Sequence, residues 1–278
     1  MIRPLFLAMT LLAAALPSAA QSIVTPAAAS AGSESSAIQG AQPADAGRRV
    51  QFLPRALFHM SGEHLSGDDE QFVWEANLGG ELDFLDWGLG RATFAANYQV
   101  MLGEEFKAFD PNQGNYMLDA AGSARLGGVE VSGVFHHVSR HRSDRAIPRA
   151  VDWNMVGGRL QGKGALGVMF IDAQAQFLGV IQKSYVDYEW ELDGRVRNDI
   201  VLRPGIGVLF GGNLRLVGVD GSRSRGTQIG ARAEGGVRFD GQMGAVELFV
   251  AVERRIDPVT LEFGTMSWLA AGFRFLNR

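Results

Sequence analysis

The chain has 278 residues, no cysteine, 36 glycines and a formal net charge of −4. The absence of cysteine excludes a disulfide framework and a cysteine–zinc site, and the mildly acidic balance argues against nucleic acid as a partner. Abundant glycine suits turns and curved strands better than helices.

The first twenty residues have the pattern of a secretory signal peptide. Arg3 is the basic start, an apolar run follows, and small residues end the segment; the run is too short to cross a membrane as a helix. Residues 21–50 are rich in Ala, Ser, Gly and Pro and contain no aromatic residue, which predicts a flexible periplasmic linker. We therefore expect a signal peptide at 1–20, a linker at 21–50 and a single domain at 51–278.

Beyond the linker, apolar and polar residues alternate with period two. In residues 71–84, Trp74 and Leu78 are separated by polar Glu75 and Asn77, and later runs repeat the pattern. Successive side chains of a strand point to opposite faces, so each run has one apolar face and one polar face.

A transmembrane barrel explains this alternation better than a soluble sandwich. The runs exceed the five or six residues typical of soluble strands and reach the roughly 9–11 residues that a tilted strand needs to cross a bilayer. Short and long connections alternate, as in outer-membrane barrels. The sequence thus predicts an all-β fold, a single antiparallel transmembrane β-barrel of about 12 strands, with 10 or 14 as alternatives.

The predicted strands are 51–60, 71–84, 90–102, 115–126, 129–139, 151–161, 166–178, 197–210, 213–219, 227–239, 243–254 and 266–276. Gly211 and Gly212 are assigned to a short periplasmic turn. The segment 179–196 also alternates, and we interpret it as strand extensions or a protruding hairpin on the outer side; counting it as further strands gives the alternative of 14.

The residues predicted to face the lumen carry both signs of charge. Paired charges fill a narrow barrel, whereas a single sign would favour an ion-selective pore. The predicted inward residues are Glu75, Glu81, Asp83, Asp119, Asp172, Glu234, Glu247, Arg91, Arg125, Arg159, Arg203, Arg232 and Arg238. This mixture favours a filled lumen over an open channel.

Residues 135–144, FHHVSRHRSD, place three of the five histidines beside two serines. The lipid-facing phase of this strand continues from Phe135 to His137 and Ser139, so His136 points into the lumen. On the returning strand the same phase reaches Asn154 and Asp152. A histidine and a serine at i and i+2, with an acceptor on the neighbouring strand, have the geometry of a base, a nucleophile and an orienting group.

The segment His137-Val138-Ser139 resembles the His-x-Ser motif of outer-membrane phospholipase A and lipid A deacylase barrels. Asn154, which follows Trp153, is similar to that phospholipase's Trp-Asn pair, and Arg142 matches the arginine three residues after its serine. The resemblance implies Ser139 as nucleophile, His137 as base and Asn154 as orienting residue. It also implies that calcium and a homodimer support the oxyanion site, which makes Arg142 a cofactor-binding candidate.

The site thus has four candidate catalytic residues, Ser139, His137, Asn154 and Asp152. The string His-x-Ser-x-His-x-x-Asp also resembles a signature of uncharacterised outer-membrane barrels that carries no known activity. A metal site formed by His137, His141 and Asp144 is disfavoured, because residues i and i+4 of a strand lie about 13 Å apart. No metal ligand is therefore predicted.

Two functions remain open at this point. One is a serine esterase, an acyl hydrolase acting on outer-leaflet phospholipid or lipid A. The other is a non-enzymatic barrel, either structural or a narrow pore, in which His137 and Ser139 decorate an aqueous rim. In both cases we expect export to the outer membrane, insertion by the barrel-assembly machinery, and contact with the bilayer and lipopolysaccharide but not with nucleic acid.

Overall fold

The computed structural model describes residues 50–142, 151–259 and 262–277. The expected signal peptide, nearly all of the expected linker, and the segment 143–150 with Asp144 lie outside these residues. The described chain forms twelve strands: β1 Gln51–Leu65, β2 Trp74–Asp86, β3 Arg91–Gly103, β4 Asp110–Leu126, β5 Val129–Arg142, β6 Val151–Leu166, β7 Met169–Ser184, β8 Tyr188–Arg203, β9 Ile206–Val219, β10 Gln228–Asp240, β11 Gly244–Ile256 and β12 Thr265–Asn277.

The strands close into a single barrel. Each pairs antiparallel with the next along the chain, and β12 returns to β1 with His59 opposite Leu276. The predicted all-β barrel of twelve strands is confirmed. Short turns join the strands at one end, which is the periplasmic end in outer-membrane barrels; we call the opposite end the outer end. Within the described residues no helix is long and apolar enough to span a membrane.

The predicted turn between β8 and β9 was wrong. The segment 179–196 extends β7 to Ser184 and starts β8 at Tyr188, which agrees with the interpretation as strand extensions and not with a protruding hairpin. Strand β8 then turns at Pro204-Gly205, where Gly205 has φ 78°. Gly211 and Gly212 are in the middle of β9 instead of in a turn. A Cβ on Gly211 would lie 2.6 Å from the Val196 carbonyl oxygen, so this glycine permits close approach of two backbones.

Strand β1 is longer than predicted and accommodates Pro54 through an irregularity. Its register with β2 shifts between Phe52 and Arg55, and Leu53 has φ 52°. Proline cannot donate to a ladder hydrogen bond, so it is tolerated at a bulge. Beyond this point β1 pairs regularly as far as His64.

The barrel exterior is apolar and its periplasmic-half interior is charged. Glu247 is fully buried and accepts from three guanidiniums: Arg197 and Arg238 at 2.7 Å, and Arg274 at 2.8 Å. Of the charged residues predicted to face inward, most are buried, whereas Arg203 is exposed at the β8–β9 turn. The opposite charges of the interior are therefore paired across the lumen, as predicted for a filled barrel.

The outer half of the interior contains apolar side chains beside further buried ion pairs, such as Arg255 with Glu253 at 2.6 Å and Arg232 with Glu63 at 2.7 Å. One cluster, which we call the outer-lumen cluster, comprises Met117, Val134, Val138, Val151, Trp153, Met155, Leu178, Tyr188, Val217 and Ile256. Above it, Arg225 donates to Asp187 at 2.8 Å and to Asp257 at 2.8 Å, and the Tyr188 hydroxyl donates to Asp257 at 2.7 Å. These contacts tie the β9–β10 and β11–β12 connections across the outer mouth.

Candidate functional site

A polar patch interrupts the apolar exterior near the outer ends of β5, β6 and β7. We call it the outward polar patch, and it consists of His137, Ser139, His141, Asp152, Asn154 and Gln182. Directly below it on the same face, Phe135 and Val156 are each 42% exposed. The patch thus lies at the edge of the surface that faces lipid.

Strand register brings the predicted residues together. His137 lies directly opposite Asn154, and Ser139 lies directly opposite Asp152. No bulge interrupts the β5–β6 pairing, so all four side chains share the outer face, as the strand phase predicted. The catalytic roles of these residues remain a prediction.

His137 and Asn154 are hydrogen-bonded side chain to side chain. The distance between His137 Nδ1 and Asn154 Oδ1 is 2.7 Å, and both residues are half-buried. A base that is held through one ring nitrogen can present the other ring nitrogen to a nucleophile. This contact has the geometry expected between a catalytic base and its orienting group.

Ser139 has a different partner in this structure. Its Oγ lies 2.7 Å from His141 Nε2, and the His141 ring makes an edge contact with Tyr116, with ring centroids 5.6 Å apart. The predicted strand ended at residue 139, but β5 extends to Arg142, so His141 shares the outward face. Ser139 is therefore flanked by a histidine on each side.

Arg142 does not join this patch. It is the last residue of β5 and lies opposite Gln113, and its even position follows buried His136 and Arg140 on the lumen phase. Its side chain thus leaves the strand on the face opposite to Ser139. Its role as a cofactor-binding residue stays a prediction from the resemblance.

Gln182 was missed by the sequence interpretation. Its amide accepts a hydrogen bond from Asn154 Nδ2, and its Nε2 donates to Asp152 Oδ2 at 3.0 Å. In strict period two, Gln182 would follow Leu178 and Val180 into the lumen. A register shift makes Met155 pair with Val180 and Asn154 pair with Gln182, so a bulge at Ile181 turns Gln182 outward.

His136 belongs to the interior. It is fully buried, and its Nδ1 lies 2.6 Å from Asp119, which also accepts from Arg159 at 3.0 Å. The side chains of the adjacent residues His136 and His137 therefore point to opposite faces of β5. The sequence prediction that only His137 faces outward agrees with this placement.

The calcium implied by the resemblance finds no complete set of ligands in the described residues. They contain no group of three or more His, Cys, Asp or Glu side chains that could hold a metal ion. Asp152 is the single carboxylate of the outward polar patch, and it accepts from Gln182. Because calcium takes six to eight oxygen ligands, the patch of one chain does not fit this ion by itself.

The barrel is similar to solved structures of outer membrane phospholipase A. The Salmonella typhi protein, a dimer with bound calcium, matches with a TM-score of 0.51 at 14% identity, over 80% of this chain and 90% of that one. The Escherichia coli protein matches with a TM-score of 0.51 at 12% identity, over 82% and 98%. An active-site mutant of it, with alanine in place of an asparagine, gives a TM-score of 0.51 at 13% identity, over 82% and 91%.

No protein-family model matches the sequence, and no curated protein matches it either. At 12–14% identity the likeness to the phospholipases concerns the fold alone. The chain has the fold of an outer-membrane β-barrel.

Proposed function

We propose that this protein is an acyl hydrolase of the outer membrane, a serine esterase that cleaves phospholipid or lipid A in the outer leaflet. The observation that carries the proposal is the 2.7 Å contact between His137 Nδ1 and Asn154 Oδ1, two residues from Ser139 on the same outward face. The similar Escherichia coli phospholipase supports the proposal in kind, since an active-site mutant of that protein has alanine in place of an asparagine.

In the proposed reaction Ser139 is the nucleophile and His137 the general base. Rotation about the Cα–Cβ bond of Ser139 turns its Oγ from His141 toward His137, since residues at i and i+2 are same-face neighbours about 6–7 Å apart along a strand. His137 Nε2 accepts the hydroxyl proton as Oγ attacks the ester carbonyl carbon.

The proton then returns to the substrate. The tetrahedral intermediate expels the lysolipid alcohol, which takes the proton from His137, and an acyl ester remains on Ser139. Water, deprotonated by His137, attacks this ester and releases the fatty acid and free Ser139. Asn154 keeps the imidazole in register throughout.

The location of the site suits a lipid substrate. An ester of an outer-leaflet lipid lies at the boundary between headgroups and acyl chains, and the outward polar patch meets exposed Phe135 and Val156 at that boundary. The proposal includes export through the signal peptide, insertion by the barrel-assembly machinery, and contact with bilayer lipid and lipopolysaccharide. A homodimer, in which a second chain supplies further calcium ligands, belongs to the same proposal.

The test is fatty-acid release by the refolded full-length protein. Phospholipid vesicles and vesicles containing lipopolysaccharide serve as separate substrates, each with and without calcium. We expect wild type to release fatty acid from one of them and Ser139→Ala to lose the activity by roughly 10³-fold or more.

Ser267→Ala is the matched control, because Ser267 is an exposed serine of β12, opposite Arg254 and on the far side of the barrel from the outward polar patch. It should release fatty acid like wild type. Equal release by wild type and Ser139→Ala, or no release by wild type from either lipid, contradicts the proposal and leaves a non-enzymatic barrel.

A further inference from the structure

The outward polar patch contains a hydrogen-bonded chain that crosses three strands. It starts at Asp152 on β6, passes through Gln182 on β7, returns to Asn154 on β6 and ends at His137 on β5. Each member contacts the next through a side-chain hydrogen bond. The chain therefore connects a carboxylate to the imidazole that the proposed function uses as its base.

The direction of every bond in this chain follows from Asp152. An ionised carboxylate only accepts hydrogen bonds, so Gln182 must turn its Nε2 toward it. That orientation leaves Gln182 Oε1 to accept from Asn154 Nδ2, and it leaves Asn154 Oδ1 facing His137. Because Oδ1 can only accept, His137 Nδ1 must carry the proton.

The consequence concerns the other ring nitrogen. A neutral imidazole carries one proton, so a proton on Nδ1 leaves a lone pair on Nε2. Nε2 with a lone pair is the form that can take a proton from a serine hydroxyl. If the Asn154 amide were reversed, its NH₂ group would face Nδ1 and the proton would move to Nε2.

We infer that Asp152 and Gln182 are positioning residues that fix the Nδ1–H tautomer of His137 through the Asn154 amide. The bulge at Ile181 turns Gln182 outward, where its side chain reaches Asn154 and Asp152 of β6. The inference rests on the proposed function for its catalytic meaning, although the tautomer is a property of the resting protein.

The tautomer can be measured directly by ¹⁵N NMR of the imidazoles in the refolded, micelle-bound protein. The chain has five histidines, and the spectrum of His137→Gln identifies the signal of His137. Wild type should show the Nδ1–H form. Asp152→Asn and Gln182→Leu should each shift His137 to a mixture of the two tautomers, because neither fixes the direction of the chain.

A double variant separates the relay from a loss of fold. Gln182→Glu places a carboxylate, which can only accept, directly beside Asn154 Nδ2, so Asp152 is no longer needed to set the direction. Asp152→Asn combined with Gln182→Glu should therefore restore the Nδ1–H form that Asp152→Asn alone loses. Ser267→Ala, on the far side of the barrel, should leave the spectrum of His137 unchanged.

An unchanged His137 tautomer in Asp152→Asn overturns the inference, and so does a double variant that fails to restore it. Hydrolysis gives a second readout: kcat should fall by at least about tenfold in Asp152→Asn and Gln182→Leu and should recover in the double variant. If Ser139→Ala hydrolyses lipid as well as wild type, the proposed function fails while the tautomer result still stands or falls by itself.

Discussion

At the scale of the residue, the two histidines beside Ser139 have different environments. His137 is held by Asn154 on the neighbouring strand, whereas His141 is held by Ser139 itself and by the edge of Tyr116. A general base needs a group that fixes its second nitrogen, and within the described residues His137 is the one of the two histidines with such a contact. His141 instead holds the serine hydroxyl in the resting structure.

This difference predicts unequal effects of two alanine substitutions. His137→Ala should lower kcat for lipid hydrolysis by roughly 10²- to 10⁴-fold, the range of a general base. His141→Ala should have a much smaller effect, because it removes a resting contact of Ser139 and not the proton acceptor. Initial rates at saturating lipid check this; a larger loss in His141→Ala would make His141 the base.

The sequence predicted much of this site, but not its far end. Period two in β5 and β6 was sufficient to place His137, Ser139, Asn154 and Asp152 on one outward face. It could not find Gln182, because a single inserted residue reverses the phase of a strand and leaves no mark on its composition. The hydroxyl partner of Ser139 also depends on a rotamer, which strand phase does not determine.

At the scale of the element, glycine has two structural roles, in turns and in closely packed strands, and the sequence pattern did not distinguish them. Gly205 follows a proline and turns the chain at positive φ. Gly211 and Gly212 instead lie inside β9 and allow the backbones of the neighbouring strands to approach closely. Both patterns suit a hairpin turn on paper. The predicted total of twelve strands still held, because the misplaced turn exchanged length between strands without changing their number.

Two adjacent glycines of β6 offer a matched test of close backbone approach. A Cβ on Gly157 would lie 2.0 Å from the Phe177 carbonyl oxygen, whereas a Cβ on Gly158 would have its nearest such neighbour, the Ser132 carbonyl oxygen, at 3.8 Å. Gly157→Ala forces β6 and β7 apart and should destabilise the barrel by about 1–3 kcal/mol.

Gly158→Ala is the control on the same strand, and it should stay within about 0.5 kcal/mol of wild type. Urea unfolding of the refolded protein in lipid vesicles, followed by tryptophan fluorescence, measures both variants. Equal midpoints for Gly157→Ala and wild type would mean that the strands separate without strain.

At the scale of the whole molecule, the lumen is filled by paired charges along its length and by an apolar cluster in its outer half. The periplasmic half contains paired charges around residues such as Glu247, and the outer half contains the outer-lumen cluster. Side chains that fill a barrel of this size leave no open path for ions, and the contacts of Arg225 connect the loops at the outer mouth. We therefore expect no step currents from the refolded protein in a planar bilayer. Stable single-channel conductance would instead support the hypothesis of a narrow pore.

The paired charges of the periplasmic half lead to a separate prediction. Glu247→Gln leaves three buried guanidiniums with a neutral acceptor, and breaking such a buried pair costs about 3–5 kcal/mol. Asp86→Asn weakens a half-exposed pair with Arg125 near the periplasmic turn, and pairs of that kind contribute about 0–1 kcal/mol. Urea unfolding in vesicles compares the two; similar midpoints would contradict a structural role for the Glu247 pairs.

The neighbours His136 and His137 point to opposite faces of β5: His136 points into the lumen, and His137 points to the outer surface of the barrel. A substitution in the outward polar patch therefore leaves the ion pairs of the lumen unchanged. Under the proposed function, a few substitutions in the outward polar patch would abolish hydrolysis, or introduce another reaction, while the barrel still assembles. Related barrels can be expected to divide into active and inert members that no comparison of their folds would tell apart.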